Sequence, residues 1–424
     1  MKILIIGSGG REHVLCWKIA RSPLVSRIYC APGNAGISSI AEPVTIDPSS
    51  ITGLADYAGR EKIDLTVVGP ELPLTLGIVD EFIKRGLRIF GASQEAAKLE
   101  GSKVFAKEFM AKKKIPTAAF AVFSSFQDAI AYLKKQGMTY PVVVKADGLA
   151  AGKGVIICSD HRETEAAVRS IMVEKLFGKS GDRVIIEECL RGKEVSFLVF
   201  SDGKNFIPLA TSQDYKRALD DNEGQNTGGM GSYSPSAYLS GRDYVSLVNQ
   251  IVMPTISGMA EDGRAFKGIL YVGVMLTNMG PKVLEYNVRF GDPETQVILP
   301  RMESDMVPIL NACIDGTLSG MNIKWSTKPS VCVIAASKGY PGHYEKGKII
   351  SGLGSLKDDD DLQTFHAGTA FNSSGDIVTS GGRVLGVNAL GNNVKEARIR
   401  AYDALSRIDF EGMHFRRDIA LDAL

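Results

Sequence analysis

The sequence lacks several features that would place it in a specialised class of protein. Its 424 residues include six cysteines and five histidines, and no two cysteines form a C-x-x-C pair. Thiols scattered in this way argue against a disulfide framework or a zinc site, and they predict a reducing, cytoplasmic location. No apolar run is long enough to span a bilayer or to form the core of a signal peptide. We therefore expect no membrane association.

The chain also lacks an excess of charge of either sign. It has 49 Lys and Arg against 48 Asp and Glu, which gives a net charge of +1, whereas nucleic-acid binders usually carry a basic surplus. This balance argues against a nucleic-acid partner but permits a local basic patch for a small phosphate ester. Hydrophobic residues make up 44% of the chain, as in globular proteins. A chain of this length predicts roughly two to four domains.

The first hundred residues alternate between buried strands and glycine turns. Continuous apolar runs at Lys2–Ile6 and Leu65–Val68 are typical of strands buried on both faces of a parallel sheet. Shorter runs at Ile28–Cys30 and Leu87–Phe90 predict two more strands, and Arg11–Arg21 predicts a helix. Repeated strand, turn and helix units indicate a doubly wound parallel sheet of the α/β class, whose ligands bind at the carboxyl ends of the strands.

The turn Gly7-Ser8-Gly9-Gly10 resembles a dinucleotide-binding loop. The segment fails the G-x-G-x-x-G pattern because Glu12 stands at the third glycine position. A glycine turn that opens onto a helix N-terminus still predicts a phosphate site, because the free amide groups there point at the anion. An NAD-dependent oxidoreductase stays open as an alternative, and absence of nicotinamide binding would eliminate it.

The central part of the chain changes to short strands around one helix, and a Gly-rich segment, 148–154, joins two of these strands. Its small residues let backbone amides approach an anion, and Lys153 adds positive charge, so a flap over phosphates is favoured over a plain hairpin. The segment is not a Walker A loop, because Gly154 stands where Ser or Thr would bind magnesium. Residues 211–236 are predicted to form a long polar loop of functional importance.

A strand is predicted at Lys282–Phe290, and it carries an unusual set of polar residues. Alternate residues of a strand share one face, so Glu285, Asn287 and Arg289 should point the same way. A carboxylate and an amide oxygen suit a Mg²⁺ ion that bridges nucleotide phosphates, and the arginine can neutralise a transferring phosphoryl group. A solvated polar face is the alternative, but the acids and amides of residues 291–296 favour a functional site.

A further buried strand, Val184–Glu187, ends in two acids. Backbone groups at such a strand end can bind a purine edge, and Glu194 can hold ribose hydroxyls. Taken alone, this segment is better explained by surface acids at a hairpin. The last region of the chain begins with a strand at Ser330–Ala336 and ends in a helix near Val394–Ser406.

Together these motifs match a known family. The chain resembles the glycinamide ribonucleotide synthetases, an ATP-grasp family of purine synthesis. The matching segments are IGSGGREH (6–13), APGNAG (31–36), VVGPELPL (67–74), LEGSKVFAKEFM (99–110), VVKADGLAAGKGV (143–155), IIEECLRGKEVSF (185–197), SQDYKR (212–217), NTGGMGSYSP (226–235) and EYNVRFGDPETQVILPR (285–301). Nine segments in the same order make the resemblance highly specific, although the last region matches more loosely.

The resemblance implies an enzyme that joins glycine to 5-phosphoribosylamine, splitting ATP to ADP and phosphate through a glycyl phosphate intermediate. It implies Mg²⁺ or Mn²⁺ as the metal and a cytoplasmic monomer. It also implies three domains: an N-terminal substrate-binding domain over residues 1–101, an ATP-grasp domain over 102–327 with a flap subdomain at about 117–195, and a small α+β domain over 328–424.

The resemblance further implies roles for individual side chains at the matching positions. Those expected to bind ATP are Lys103, Lys145, Lys153, Glu187, Cys189, Leu190 and Glu194. Those expected to bind the metal are Glu285 and Asn287. Those expected around glycine and the transferring phosphoryl group are Asp214, Lys216, Arg289 and Pro293. Those expected to bind phosphoribosylamine are Gly9, Gly10, Asn34 and Glu71.

The sequence departs from the family pattern at three positions. Tyr215 stands where a His is expected, Tyr286 replaces a Phe, and Leu72 replaces an Ala. The first departure could alter hydrogen bonding near glycine, although a phenol also donates a hydrogen bond. Two further alternatives stay open: an ATP-grasp ligase with another acid or amine, and a catalytically silent nucleotide-binding module. The intact set of lysines, acids and amide disfavours the silent module.

Overall fold

The computed structural model describes residues 1–134, 138–149, 154–239, 241–356 and 359–424. Within these ranges no helix has the length and apolar character needed to cross a bilayer. The strands form one parallel sheet of five strands, two antiparallel sheets of four strands, a further antiparallel sheet of five strands and two small hairpins.

The first part of the chain folds around the parallel sheet. Its strands are Lys2–Gly7, Arg27–Pro32, Glu42–Pro43, Leu65–Val68 and Ile89–Phe90. Its helices are Gly10–Ala20, Ile51–Glu61, Glu71–Thr75, Ile78–Lys84 and Gln94–Gly101. The first strand lies between the second and the fourth, all parallel, which confirms the doubly wound α/β prediction. The chain therefore adds strands first on one side of Lys2–Gly7 and then on the other. In such sheets a crevice for ligands opens at the carboxyl ends of the strands where this change of side occurs.

The central part of the chain contains the two four-stranded antiparallel sheets. One consists of Phe120–Phe123, Val142–Ala146, Val155–Cys158 and Val184–Glu188. The other consists of Lys193–Asp202, Phe206–Pro208, Lys267–Thr277 and Gly280–Asn287. The α-helices are Lys103–Lys112, Phe126–Leu133, His161–Met172, Gly241–Leu247 and Met253–Glu261, the last two joined by a π-helical turn at Val248–Val252.

The strand Gly280–Asn287 ends earlier than predicted and contains a β-bulge. Gly273 pairs with Glu285 and Val274 pairs with Val283, which leaves Leu284 as the extra residue. A bulge reverses the alternation of side chains along a strand. Strict alternation along Lys282–Phe290 would place Leu284 on the face opposite Glu285, but with the bulge Leu284 lines the same cleft as Glu285.

The third antiparallel sheet joins the central and last parts of the chain. Its strands, from edge to edge, are Gln213–Asp214, Gly231–Ser234, Ser330–Ala336, Arg383–Leu390 and Leu362–His366. The hairpins are Arg217–Leu219 with Glu223–Asn226 and Thr369–Phe371 with Ile377–Thr379. The remaining α-helices are Glu294–Ile298, Met306–Asp315 and Val394–Leu405.

The sheet corrects the prediction of a long loop at residues 211–236. The strand Gly231–Ser234 is fully buried although it consists of small and polar residues. Ser232 Oγ donates to Gln213 O at 2.7 Å and Ser234 Oγ donates to Thr211 O at 2.7 Å. Buried hydroxyls that find such partners need no apolar pattern, and the hydrophobic periodicity therefore gave no sign of a strand.

The first strand connects two hydrophobic cores. Leu4 and Ile6 pack in a core that also contains Val272 and Val274 of the central sheet. Ile3 and Ile5 belong to a second core, on the opposite face. Because parts of the first domain and the central sheet share these cores, the walls of the cleft between them are held in fixed positions.

Candidate functional site

A cleft of about 880 Å³ lies where the three parts of the chain meet. Most of the side chains predicted from the sequence line it. They are Glu71, Lys103, Lys145, Glu187, Cys189, Leu190, Glu194, Asp214, Lys216, Glu285, Asn287 and Arg289. The fold therefore brings together residues from the parallel sheet, the Val184–Glu188 strand end, the 211–236 segment and the strand that ends at Asn287.

At one end of the cleft, two lysines flank a single buried carboxylate. Glu187 forms ion pairs with Lys145 and, at 2.5 Å, with Lys107, and all three side chains are under 10% exposed. Lys145 Nζ also donates to Leu284 O at 3.1 Å. Burial, only partly offset by Glu187, lowers the pKa of Lys107. The cluster puts excess positive charge beside a strand end where a nucleotide phosphate is expected.

Glu285 occupies the middle of the cleft and faces a ring of cations. Burial alone would raise the pKa of Glu285, but Lys216, Lys145, Lys103 and Arg289 outweigh it and lower the pKa to about 2. Lys216 bridges Glu285 at 3.4 Å and Glu194. Glu285 is consequently a carboxylate at any physiological pH, as a metal ligand must be.

Arg289 is fixed by three side-chain oxygen acceptors and by Phe290 O. Its guanidinium donates to Glu71 at 3.2 Å, to Glu100 at 2.9 Å and to Asn287 Oδ1 at 3.0 Å. Burial raises the pKa of Glu100 to about 7, although Arg289 opposes this shift. The two carboxylates hold the arginine in one orientation, with its charge at the cleft surface.

Asp214 lies under a turn formed by Gly228 and Gly229. Its Oδ1 atom is buried and has no hydrogen-bond partner among the described residues. Burial and, next, the nearby Glu294 raise the pKa of Asp214 well above its ordinary range. A Cβ atom on Gly229 would overlap Pro293 and stand 2.7 Å from Asp214 Oδ1. Asp214, Gly229 and Pro293 thus form one tightly packed corner, and an unpaired buried oxygen there calls for a cationic or hydrogen-bonding ligand.

The residues predicted to bind phosphoribosylamine separate into two groups. Glu71 lines the cleft, whereas Gly9, Gly10 and Asn34 lie beyond its end, close to Asp292 or to the last sheet. Asn34 Nδ2 donates to Ser8 O at 2.8 Å and to His366 O at 2.9 Å. Asn34 therefore ties the loop after the second strand to the glycine turn and to the last part of the chain.

The glycine turn itself already holds a carboxylate. Glu12 Oε2 accepts a hydrogen bond from Gly9 N at 2.6 Å, and Glu12 Oε1 pairs with Arg11 at 2.6 Å. A Cβ on Gly69 would overlap this carboxylate. The predicted phosphate site at this turn is thus partly filled by the protein's own anion, which takes the Gly9 amide.

One predicted ATP ligand, Lys153, lies outside the described residues, as do Ala150, Ala151 and Gly152 of the predicted flap. The described part of that segment does contact the site. Lys103 Nζ donates to Gly148 O at 2.7 Å, and burial lowers the pKa of Lys103.

Sequence reasoning missed several residues that line or support the cleft. They are Arg11, Glu100, Lys107, Tyr271, Tyr340 and Arg383. For Lys107 a signal was available, because it lies four residues after Lys103 and side chains four apart share a helix face. For Arg383 no local signal exists, since its contacts are with residues about 90 and 155 positions away.

The three departures from the family pattern have distinct environments. The Tyr215 hydroxyl donates to Asp422 and accepts from Ala420 N at 2.9 Å, so it is engaged by the end of the chain. The Tyr286 hydroxyl shares a hydrogen bond of 2.8 Å with Thr255. Leu72 is exposed. None of these three side chains displaces a group assigned to the chemistry.

Two antiparallel sheets enclose a cleft lined by lysines, carboxylates and an amide, and they are attached to a parallel-sheet domain. This arrangement defines an ATP-grasp protein. Three sequence profiles cover nearly the whole chain: the N domain of phosphoribosylglycinamide synthetase over residues 1–100, its ATP-grasp (A) domain over 101–295 and its C domain over 330–422. The chain belongs to the phosphoribosylglycinamide synthetase family.

Relatives support this assignment over the full length. The chain is 50% identical over 420 residues to a phosphoribosylamine–glycine ligase of Caldanaerobacter subterraneus subsp. tengcongensis, covering 99% of each chain. It is 50% identical over 427 residues to the ligase of the same name from Vibrio vulnificus, covering 100% of this chain and 99% of that one.

Solved structures share the fold. A phosphoribosylamine–glycine ligase of Thermotoga maritima superposes with a TM-score of 0.86 at 35% identity, over 99% of this chain and 100% of that one. The biotin carboxylase domain of a Hydrogenobacter thermophilus 2-oxoglutarate carboxylase, solved with MgADP, superposes with a TM-score of 0.74 at 15% identity, over 98% of this chain and 91% of that one. The second similarity is one of fold alone.

Proposed function

We propose that the chain joins glycine to 5-phosphoribosylamine, consuming ATP and releasing ADP and phosphate, as a step of purine biosynthesis. The observation that carries this proposal is the ring of Lys103, Lys145, Lys216 and Arg289 around the ionised Glu285 in one cleft. A triphosphate and a carboxylate substrate both need such cations. The full-length similarity to phosphoribosylamine–glycine ligases supports the choice of substrates.

We expect the nucleotide to occupy the end of the cleft that contains Glu187, Cys189, Leu190 and Glu194. Lys145, which Glu187 and Leu284 O hold in place, would bind the phosphates together with Lys103. Glu194 already bridges to Lys216 and would exchange this partner for ribose hydroxyls. Such preorganised charges carry the rate of phosphoryl transfer, because the reaction requires positioning and charge neutralisation rather than a protein nucleophile.

The side chains of Glu285 and Asn287 suit a divalent metal ion. They offer a carboxylate and an amide oxygen to the same cleft from one extended segment. Within the described ranges no group of three or more His, Cys, Asp or Glu is suited to a metal, so the ion would need further ligands from outside the protein. Two hard oxygen ligands fit Mg²⁺ or Mn²⁺, which takes its remaining ligands from nucleotide phosphates and water. When bound, the ion would neutralise charge on the triphosphate.

In the proposed reaction, a carboxylate oxygen of glycine attacks the γ-phosphorus of ATP, which forms glycyl phosphate and releases ADP. The neutral amine of phosphoribosylamine then attacks the carbonyl carbon, phosphate leaves, and the nitrogen loses a proton to give the amide. Arg289, held by Glu71 and Glu100, would stabilise the transferring phosphoryl group. Asp214 and Lys216 would orient glycine, with Pro293 forming a wall of that subsite.

The remaining predicted residues would bind phosphoribosylamine. Gly9 and Gly10 lie near Asp292, Asn34 binds Ser8 O and His366 O, and Glu71 pairs with Arg289. The amine of the substrate would then reach the glycyl phosphate from the parallel-sheet side. A monomeric state, a cytoplasmic location and the three domain boundaries stay predictions.

The proposal is tested by measuring ADP release with glycine, phosphoribosylamine or ATP omitted in turn, and with other amino acids in place of glycine. We expect release to require glycine. Product formation that accepts another acid or amine equally well would indicate a different ATP-grasp ligase.

A second experiment tests the metal site through Glu285→Ala. We expect this variant to lose glycine-dependent ADP release, because the substitution removes the anionic metal ligand, which is also the carboxylate that the four cations surround. Binding of Mn²⁺ in the presence of ADP, followed by paramagnetic resonance, supplies a readout that does not depend on turnover. Undiminished ADP release and Mn²⁺ binding would show that the metal assignment is wrong.

A further inference from the structure

Arg383 begins the strand Arg383–Leu390 of the last sheet, and its side chain reaches into the cleft wall. Its Nη1 atom donates to Gly228 O at 2.6 Å and to Asp292 O at 2.6 Å. The guanidinium also forms an ion pair of 3.4 Å with the Asp292 carboxylate. One side chain thus connects two loops whose positions in the sequence are more than sixty residues apart.

The two loops meet beside Asp214. Gly228 and Gly229 form the turn above its buried oxygen, and Pro293, which follows Asp292, packs against Gly229 so closely that no Cβ would fit. The guanidinium of Arg383 lies directly against Gly228, where an added Cβ would stand 2.9 Å from Cζ. Loss of the guanidinium would free the turn and the Asp292–Pro293 segment from each other.

The polar contacts of the Arg383 side chain are with these two loops. The described hydrogen bonds of its guanidinium all end on Gly228, Gly229 and Asp292, and its neighbours in the strand, Val384 and Leu385, are fully buried core residues. A hydrophobic residue at this position would leave Gly228 O and Asp292 O without this donor, whereas one guanidinium nitrogen of Arg383 binds both.

We propose that Arg383 is a positioning residue of the glycine subsite: by bridging Gly228 O and Asp292 O it fixes the corner in which Asp214 meets its substrate. The inference rests on the proposed function. Under it, the last domain of the chain contributes to recognition of the amino acid and not to recognition of the nucleotide, whose predicted ligands lie on the Lys103, Lys145 and Glu187 side of the cleft.

The experiment compares Arg383→Lys and Arg383→Ala with Arg398→Lys as the matched control. Arg398 also donates to backbone carbonyl groups of the last domain, those of Ile419 and Arg417, and does not line the cleft. Steady-state KM values for glycine and ATP are measured for each variant, together with the Tm. Glycine binding is measured by calorimetry in the presence of Mg²⁺ and a non-hydrolysable ATP analogue.

We expect Arg383→Ala to raise the KM and the Kd for glycine by about tenfold or more, the effect of losing a charge-assisted hydrogen bond, while the KM for ATP changes by less than about twofold. Arg383→Lys should recover part of the glycine affinity, because an ammonium group can also donate to two carbonyl groups. Unchanged glycine affinity, or a parallel rise of both KM values with the fall in Tm seen in the control, would overturn the inference. Wild-type protein that binds no glycine would instead refute the proposed function, and the inference with it.

Discussion

Acidification should lower the free energy of unfolding through a buried contact between the first helix and the last sheet. The contact is made by two imidazoles, His13 and His366, whose rings lie 5.6 Å apart. His13 Nδ1 accepts a hydrogen bond from His366 N at 2.8 Å, and His366 Nδ1 is 3.1 Å from Thr369 Oγ1. Both side chains are buried, and no carboxylate pairs with either ring within the described ranges.

The sign of the effect follows from the pKa values. Burial lowers the pKa of His13 from 6.5 to about 3 and that of His366 from 6.5 to about 4. The unfolded chain therefore binds more protons than the folded chain once the pH falls below 6.5, and stability is lost as the pH decreases further. At pH 5 each imidazole lowers the free energy of unfolding by about 2 kcal/mol relative to its neutral state, so the pair should contribute about 4 kcal/mol.

The assay is urea denaturation at pH 7 and pH 5 of the wild type and of the double variant His13→Asn/His366→Asn. An asparagine oxygen can accept the hydrogen bond that His13 Nδ1 accepts, but it does not titrate. Other groups titrate in both proteins, so the difference between the two pH dependences isolates the imidazoles. His343→Asn, at an exposed histidine, serves as the control.

The expected result is a loss of stability between pH 7 and pH 5 that is about 4 kcal/mol larger in the wild type than in the double variant. Equal pH dependences of stability in the two proteins would refute the argument, because they would mean that the buried rings take up protons as readily as the unfolded chain.

Three further substitutions test other parts of the site. Lys107→Met should lower the free energy of unfolding by about 3 kcal/mol, since it leaves the buried Glu187 with one cation; urea denaturation measures this, and a loss below about 1 kcal/mol, the range of an exposed pair, would contradict it. Gly229→Ala should raise the KM for glycine by about tenfold, because it forces a side chain onto Pro293 at a left-handed φ of 110°; unchanged glycine kinetics would show that this corner is not the glycine subsite. Asn34→Ala should raise the KM for phosphoribosylamine by about tenfold through the loss of four side-chain hydrogen bonds, with the KM for ATP as the internal reference, and equal changes in both constants would indicate a general effect on folding.

Elements with a continuous apolar run could be predicted from the sequence. The strands Leu65–Val68 and Ser330–Ala336 have the predicted bounds, because each is buried along its whole length and changes composition abruptly at its ends. The strand Lys193–Asp202 extends at both ends beyond its mostly apolar stretch, Val195–Phe200, because polar residues continue the hydrogen-bond ladder there. Backbone pairing, which composition does not record, sets such limits.

The predicted placement of Glu285 and Asn287 depended on local alternation, and it succeeded even though a bulge interrupts the strand just before them. Their neighbours in the cleft could not be predicted in the same way. Glu100 and Lys107 act through partners 189 and 80 positions away, Arg289 and Glu187. Only the folded chain shows which buried charges meet.

The sheet that holds Gly231–Ser234 against Ser330–Ala336 has a practical consequence for dividing the molecule. A fragment that starts at residue 328 would carry the strands Ser330–Ala336, Arg383–Leu390 and Leu362–His366 but would lose the two strands that precede them in space. The edge of Ser330–Ala336, entirely apolar apart from its first residue, would then be open to pairing with another molecule. Such a fragment should aggregate, whereas a fragment that retains residues 211–236 keeps its edge covered.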